Sequence, residues 1–466
     1  MPKAFTALRR YAALKSIPLL HQTAQLLGRL GTAMPGEVAL KIYPSLLADL
    51  CQGQAVTLVT GTNGKSSVSA LLAQMLRESG LSVIHNAGGA NMASGLVTAL
   101  GLQSKDLAQD QAKLVFEIDE AWFAKLAPTL KPTCLVVTNL FRDQVDRNGD
   151  VLAVREKLAQ GIRLALKEQP HLQLILNADD PYVASLAAEI QDPQPLYFGL
   201  DWLTDSGQDK TNAGLTRAHT SYVCPLCGSH LDYQQRSYDH VGLYHCPACG
   251  FSRPQPDLSL KSSSKVGLYQ MTYQGQSSQL DLGTKQDYVL YNLAAASLAA
   301  LQQGADLAHV LEAGQRQESL AGRDQVLALN QEGQAQIRLV KNPVGLSLGL
   351  KALASDPDAR GLCLMINNQE SDGRDISWLK EVDYQPLLAC ASRLDFILLS
   401  GSRASDLAEI LQERGLPADH LRLEPQVGEA WQQAQALLTP GHKLFILPNY
   451  TAMWELQGLL QKTGTL

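Results

Sequence analysis

Val59-Thr60-Gly61-Thr62-Asn63-Gly64-Lys65-Ser66-Ser67 is the stretch on which the fold turns. Ahead of it, Ala55–Thr60 is a short β-branched run. Behind it, Val68, Leu71, Leu72, Met75 and Leu76 recur at helical spacing, and Gly80 is placed to stop that helix. A strand therefore enters a glycine turn that opens a helix. Such a turn aims successive backbone N–H groups at a phosphate, and the positive end of the helix adds to the attraction. Lys65 is predicted to neutralise the β- and γ-phosphates, and Ser66 to offer its hydroxyl to the accompanying magnesium. The predicted nucleotide contacts run through Thr60, Gly61, Thr62, Asn63, Gly64, Lys65, Ser66 and Ser67. A magnesium site also needs a carboxylate at a neighbouring strand end, and Glu117, in Val115-Phe116-Glu117-Ile118-Asp119-Glu120, is the candidate. Val59 stands where the general phosphate-loop pattern has its first glycine, so the strand and helix context carries this reading.

Working outward, buried-strand candidates follow at Leu81–Ile84, Leu114–Ile118, Cys134–Thr138 and Leu172–Leu176, with helical patterns such as Val151–Leu166 between them. That alternation predicts an α/β fold with a parallel sheet covered by helices on both faces. Residues 1–50 read as a helical segment and 51–313 as an ATP-binding domain. Between Leu200 and Leu282 the sequence turns polar, Gly/Ser-rich and tyrosine-dotted, which reads as an inserted module. Helical pattern returns at Tyr291–Leu301. A second alternation, with strands near Ile337–Val340, Leu362–Ile366, Phe396–Leu399 and Leu444–Leu447, predicts a C-terminal α/β, Rossmann-like domain over 314–466.

The chain has 466 residues, 45% apolar and 18% charged, which excludes wholesale disorder and a small disulfide scaffold. With 39 Lys and Arg against 45 Asp and Glu, its charge of −6 offers no overall footprint for a polyanion. No run of eighteen uncharged apolar residues occurs, so neither a spanning helix nor a secretory signal is expected, and the predicted location is the cytoplasm. The basic start (Lys3, Arg9, Arg10) is expected to be a helix packed on the protein, with peripheral contact at the inner face of the plasma membrane as the other reading.

Of eight cysteines, four form two knuckles, Cys224-Pro225-Leu226-Cys227 and Cys246-Pro247-Ala248-Cys249, each followed by Gly. Four thiolates at this spacing suit one tetrahedral structural zinc, in a ribbon inserted at about 219–255. From His219 to Lys261 three cations (Arg236, Arg253, Lys261) face three aspartates (Asp232, Asp239, Asp257), which argues against a nucleic-acid reader. Cys134 and Cys363 sit in apolar runs and read as buried thiols. Trp378 and Trp454 are expected in the core. Asp372 and Asp375, just past a predicted strand, occupy the kind of loop where α/β sheets place functional residues.

Thr-Gly-Thr-Asn-Gly-Lys-Ser at 60–66 resembles the Mur ligases and folylpolyglutamate synthetases, which activate a carboxylate with ATP as an acyl phosphate and then form an amide. Thr138 to Arg147 resembles that family's second magnesium-site motif, and Asn177-Ala178-Asp179-Asp180-Pro181 its nucleotide-contacting segment. Asn292, in Tyr291 to Ala296, and Arg323, after Gly322, resemble its asparagine and arginine that approach the nucleotide. Gln144 departs from the histidine of amino-acid-adding members, and the lysine that some of them carbamylate is not found, which leaves the second metal site open.

Within this family, the ribbon and the altered C-terminal domain resemble one branch, the synthetase subunits that amidate lipid II. The resemblance includes Asn86, Gly89-Ala90-Asn91, Glu117 to Ala121, Lys341-Asn342-Pro343, Asp372 to Trp378 and Tyr450 to Met453. It implies ATP-dependent conversion of the D-glutamate α-carboxyl of lipid II to D-isoglutamine, in peptidoglycan synthesis. ATP, Mg2+ and a structural Zn2+ are the implied cofactors. It also implies a heterodimer with a GatD-like glutaminase that supplies ammonia, with either Asp372 or Asp375 acting there and Lys65 acting on the phosphates. Rival readings are an amino-acid-adding Mur ligase or folylpolyglutamate synthetase, and an ATP-regulated nucleic-acid-binding ribbon protein.

Overall fold

The computed structural model describes residues 3–26, 31–87, 90–104, 112–142, 150–201, 222–283, 286–316, 323–329, 332–373 and 375–462. Contacts divide the chain into two units, the first drawn from segments within 1–317 and the second mainly from 318–466.

The first unit is built on β1 (Ala55–Thr60), β2 (Val83–His85), β3 (Lys113–Glu117), β4 (Cys134–Val137), β5 (Gln173–Asn177) and β6 (Leu196–Leu200). These pair in parallel in the order β6-β5-β4-β1-β3-β2. Alternate residues Val56, Leu58, Leu114, Phe116, Leu135, Val137, Leu174 and Leu176 join one buried cluster, as the period of two in a strand requires. Helices α1 (Lys3–Leu26), α2 (Met34–Ile42), α3 (Leu46–Cys51), α5 (Ala93–Leu102) and α6 (Glu120–Leu130) supply buried residues to this cluster. The other sheet face meets α4 (Lys65–Glu78) and the helix Asp287–Gln302.

The stretch after Leu200 departs from the inserted module expected. Only β7 (Asp232–Tyr238) and β8 (Val241–His245), with the cysteine knuckles, stand apart from the main sheet. Strands β9 (Leu258–Ser262), β10 (Leu268–Tyr273) and β11 (Gln276–Asp281) return to it, β9 parallel to β6 and the other two antiparallel, to complete nine strands. The two-residue turn Gln274-Gly275 closes the β10–β11 hairpin with positive φ at both positions, 48° and 76°.

The second unit has a six-stranded sheet in the order β12-β13-β17-β14-β15-β16. Its strands are β12 (Arg323–Ala328), β13 (Gln334–Arg338), β14 (Ala359–Met365), β15 (Phe396–Ser400), β16 (Leu421–Leu423) and β17 (Lys443–Pro448). All pairings are parallel except β12 with β13. Separate buried clusters cover its two faces. Trp378 packs against one of them, but Trp454 does not share that burial: it is 50% exposed and lies against Tyr450 with ring centroids 4.4 Å apart. Cys134 and Cys363 are buried, and burial pushes both thiols up, Cys134 to about 12. Among the described residues no helix is long and apolar enough to cross a membrane.

Candidate active site and cysteine centre

The β1–α4 turn can only be made with glycine at two points. Gly61 has φ +123°, and a Cβ there would collide with the Thr138 hydroxyl and the Asn139 carbonyl. Gly64 has φ +85°, and its Cβ would meet the side-chain amide of Asn292, which fixes that predicted residue against the loop. Thr138 donates to Thr60 O (3.2 Å) and Asn63 O (2.7 Å). Asn139 accepts from Asn63 N (2.8 Å) through its side chain and from Thr62 N (2.8 Å) through its carbonyl. The end of β4 thus holds the loop open, while no side chain caps the N-terminus of α4. An uncapped fourteen-residue helix facing a glycine turn is a ready seat for phosphate.

Lys65 is buried at the first position of α4, donating to Gly61 O (2.5 Å) and Thr62 O (3.2 Å), with its ammonium 3.1 Å from Glu120 Oε2. The Ser66 hydroxyl donates to Glu117 Oε2 at the end of β3. Glu117 is itself aligned by Asn86, which accepts from its N–H (2.8 Å) and donates to its carbonyl (2.9 Å). The predicted lysine, serine and carboxylate are therefore brought together, and the hydroxyl–carboxylate pair is the donor set that a hard cation prefers.

Glu120 had no predicted role. The signal was present: Asp119 caps α6 by accepting from Ala121 N (2.9 Å), which turns the next carboxylate toward the loop.

Asp179 and Asp180 are fully buried, and they tie the ribbon to the nucleotide side of the sheet. Asp179 accepts from Arg253, from Tyr291 OH (2.7 Å) and from Leu200 N (3.0 Å), while burial pushes its pKa upward against the pull of Arg253. Asp180 accepts from Leu140 N (2.8 Å) and lies 3.3 Å from His240 Nε2 in the β7–β8 turn. Burial alone would discharge His240, but Asp180 and Asp239 outweigh it and raise its pKa to about 10.

The four paired cysteines converge. Their sulfurs lie within 4.8 Å of one another, with Cys224 to Cys249 at 3.7 Å and Cys227 to Cys246 at 3.5 Å. Tetrahedral Zn–S bonds of about 2.3 Å place sulfurs about 3.8 Å apart, so the donor set fits one ion. The knuckles repeat each other: Gly228 N and Gly250 N each donate to the first cysteine's carbonyl at 2.9 Å.

In the second unit, Asp372 is buried, accepting from Thr451 N (2.8 Å), Thr451 Oγ1 (2.5 Å) and Gln369 N (3.1 Å). Asp375 is exposed and accepts only locally, from Ser377 N (2.8 Å) and Ser377 Oγ (2.9 Å) among the bonds found. Arg323 opens β12. Residues 143–149, with Gln144, Asp146 and Arg147, lie outside the described residues, as do Gly89, His219, Gly322 and Arg374.

Comparison with known proteins shows the family. Residues 59–223 match the Mur ligase middle domain, and residues 339–453 match the MurT ligase C-terminal family. The lipid II isoglutaminyl synthase (glutamine-hydrolyzing) subunit MurT of Streptococcus pneumoniae (strain ATCC BAA-255 / R6) is 30% identical over 450 residues, covering 94% of each chain. The same-named subunit of Staphylococcus aureus (strain COL) is 29% identical over 401 residues, 86% of this chain and 87% of the relative. Among solved structures, a pseudomurein peptide ligase type C from Methanothermus fervidus superposes with a TM-score of 0.66 at 20% identity, covering 92% of this chain and 84% of the other, a likeness of fold.

Proposed function

This chain belongs to the MurT family of Mur-ligase-like synthetase subunits, and on that premise we propose that it forms the carboxamide in a lipid II isoglutaminyl synthase. Transfer of the γ-phosphoryl group of ATP to the D-glutamate α-carboxylate releases ADP and leaves an acyl phosphate. Ammonia attacks its carbonyl carbon, phosphate departs and a proton is lost, giving D-isoglutamine. The observation that carries the reading is the meeting of Ser66 and Glu117 beside Lys65 under an uncapped helix end.

Mg2+ bound by Ser66 and Glu117 would neutralise charge moving between the phosphates. Lys65 supplies the second positive charge once the phosphates draw it from Glu120. The Thr60 to Ser67 backbone binds the phosphate chain, and Asn292, set against Gly64, adds to the nucleotide contacts. We assign these steps to 51–313 and partner docking to 314–466. The four cysteines hold a structural Zn2+, which supplies folding energy and no catalytic step.

No Gly-x-Cys-x-Gly nucleophile turn surrounds any cysteine, which leaves free ammonia or a second polypeptide as the nitrogen source, and the glutamine-hydrolyzing name of the MurT relatives supports a glutaminase of the GatD type. Asp375 is the aspartate accessible to that partner, whereas Asp372 is engaged in fixing its own loop to Thr451. Because lipid II is membrane-anchored, the protein works at the inner face of the plasma membrane without entering it.

The test supplies the purified chain with ATP, Mg2+, ammonium and lipid II, then replaces ammonium with glutamine plus the glutaminase, and follows the carboxyl-to-carboxamide mass change. Incorporation of a free amino acid in place of ammonia would establish the amino-acid-adding chemistry instead.

A further inference from the structure

Helix α1 has two apolar sides, and among the described residues the fold covers only one. Ala13, Ile17 and Ala24 are buried where α1 packs on α2 and α5. The opposite side leaves Phe5 48%, Leu8 63%, Leu19 65% and Leu26 88% exposed, with Tyr11 at 61% beside them. At about 100° per residue, Phe5, Leu8, Ala12, Leu19 and Leu26 fall within an arc of about 60°. This is an exposed apolar stripe interrupted by Thr23, not scattered surface apolar residues.

Its charge setting is equally one-sided. Residues 3–26 contain Lys3, Arg9, Arg10 and Lys15 and no carboxylate, in a chain of net charge −6. Arg9 lies 6.0 Å from the Phe5 ring centroid and Lys15 5.6 Å from that of Tyr11, so cations border the stripe. The side chain of Arg10 is 47% exposed, with Asp49 3.9 Å away as its nearest counter-charge. An apolar strip edged by long basic side chains, with a tyrosine at its margin, matches a surface whose interior is hydrocarbon and whose face is anionic.

We propose that the outward face of α1 docks on an anionic lipid bilayer, lying in the plane of the interface and holding this subunit beside its lipid-anchored substrate. The proposal rests on the functional reading for its purpose, but its physical content is a vesicle-binding surface. A second copy of the chain or a protein partner would suit the apolar stripe equally; Arg9 and Lys15 at its edges, in a helix that carries no carboxylate of its own, are what favour lipid.

The experiment uses the full chain with vesicles of phosphatidylcholine alone and of phosphatidylcholine with phosphatidylglycerol. The expected result is sedimentation with the anionic vesicles, weakened by added salt. In L8E/L19E, at two positions more than 60% exposed, the partition coefficient should fall by at least roughly a hundredfold, because two leucines no longer enter the interface. The charge reversal K15E should lower it about fivefold or more. Absence of binding to anionic vesicles, or equal binding by the chain and by L8E/L19E, overturns the proposal. So does a dimer in sedimentation velocity that L8E/L19E abolishes without any vesicle binding. Vesicle binding by a chain that never amidates lipid II would overturn the functional reading and leave this one standing; amidation without vesicle binding would do the reverse.

Discussion

At the residue scale, Lys65 tests the proposed activity and His85 the response to pH. The Lys65 ammonium is buried among Gly61 O, Thr62 O and Glu120, so K65A removes the charge proposed to meet the phosphates and leaves the buried Glu120 carboxylate without this partner. Amidation should fall by about a hundredfold to a thousandfold, the scale of losing one preorganised charge donor, with a native circular dichroism spectrum and a lower melting temperature. Normal turnover in K65A would contradict the assigned role. Asp375 and Asp372 separate by their surroundings: D375N should lose glutamine-dependent amidation while keeping the ammonium-dependent reaction, whereas D372N should chiefly lower thermal stability through the lost Thr451 bonds. Burial, reinforced by Arg77, pushes the His85 ring down to about 4. The unfolded chain therefore binds a proton that the folded chain refuses between pH 6.5 and 4. Stability present above pH 6.5 should be lost as pH falls through that window, by an amount on the order of 3 kcal/mol, levelling off below pH 4. Urea melts of the chain and of H85Q across these pH values measure it, and equal slopes for both would sink the assignment.

At the element scale, buried charge ties the ribbon to the sheet independently of the metal proposed for its four thiols. Removing Arg253 would leave Asp179 buried and uncompensated, which costs about 3–5 kcal/mol. R253L should accordingly lower the melting temperature even with metal bound, and an unchanged melt would show the pair to be dispensable. C246S should lose the metal together with stability, since three thiolates cannot close the tetrahedron; full zinc stoichiometry in C246S would refute the four-thiolate assignment. What sequence reading could see here was local. The knuckles and the strand–turn–helix are patterns within a few residues, and Glu117 is an acidic strand end. The tether was illegible because Arg253 and Tyr291 reach Asp179 from 74 and 112 residues away, and no spacing rule reports such a meeting. Strands β9 to β11 were missed for another reason: β10 and β11 form an antiparallel margin with exposed polar positions, and the sequence of this stretch resembles an insertion.

At the scale of the whole molecule, both α/β halves were legible because buried parallel strands are near-continuous apolar runs, as in Cys134–Val137 and Phe396–Ser400. Trp454 was misjudged for a physical reason: its helical position gives it a neighbour in Tyr450, but the ring pair faces solvent, and aromatic content alone does not distinguish core from surface. The exposed stripe of α1 was hidden in the sequence because polar residues are spread around the helix, and only the packing shows which apolar side is covered.

The Glu120 carboxylate against Lys65 bears on traffic through the enzyme after each turnover. An ammonium that already has an internal counter-ion gives less grip to an incoming anion, so on the proposed function spent phosphate and ADP are expected to compete less well for the loop than ATP. E120Q should reverse this selectivity: calorimetry should find tighter ADP, and the progress curve should bend early from product inhibition.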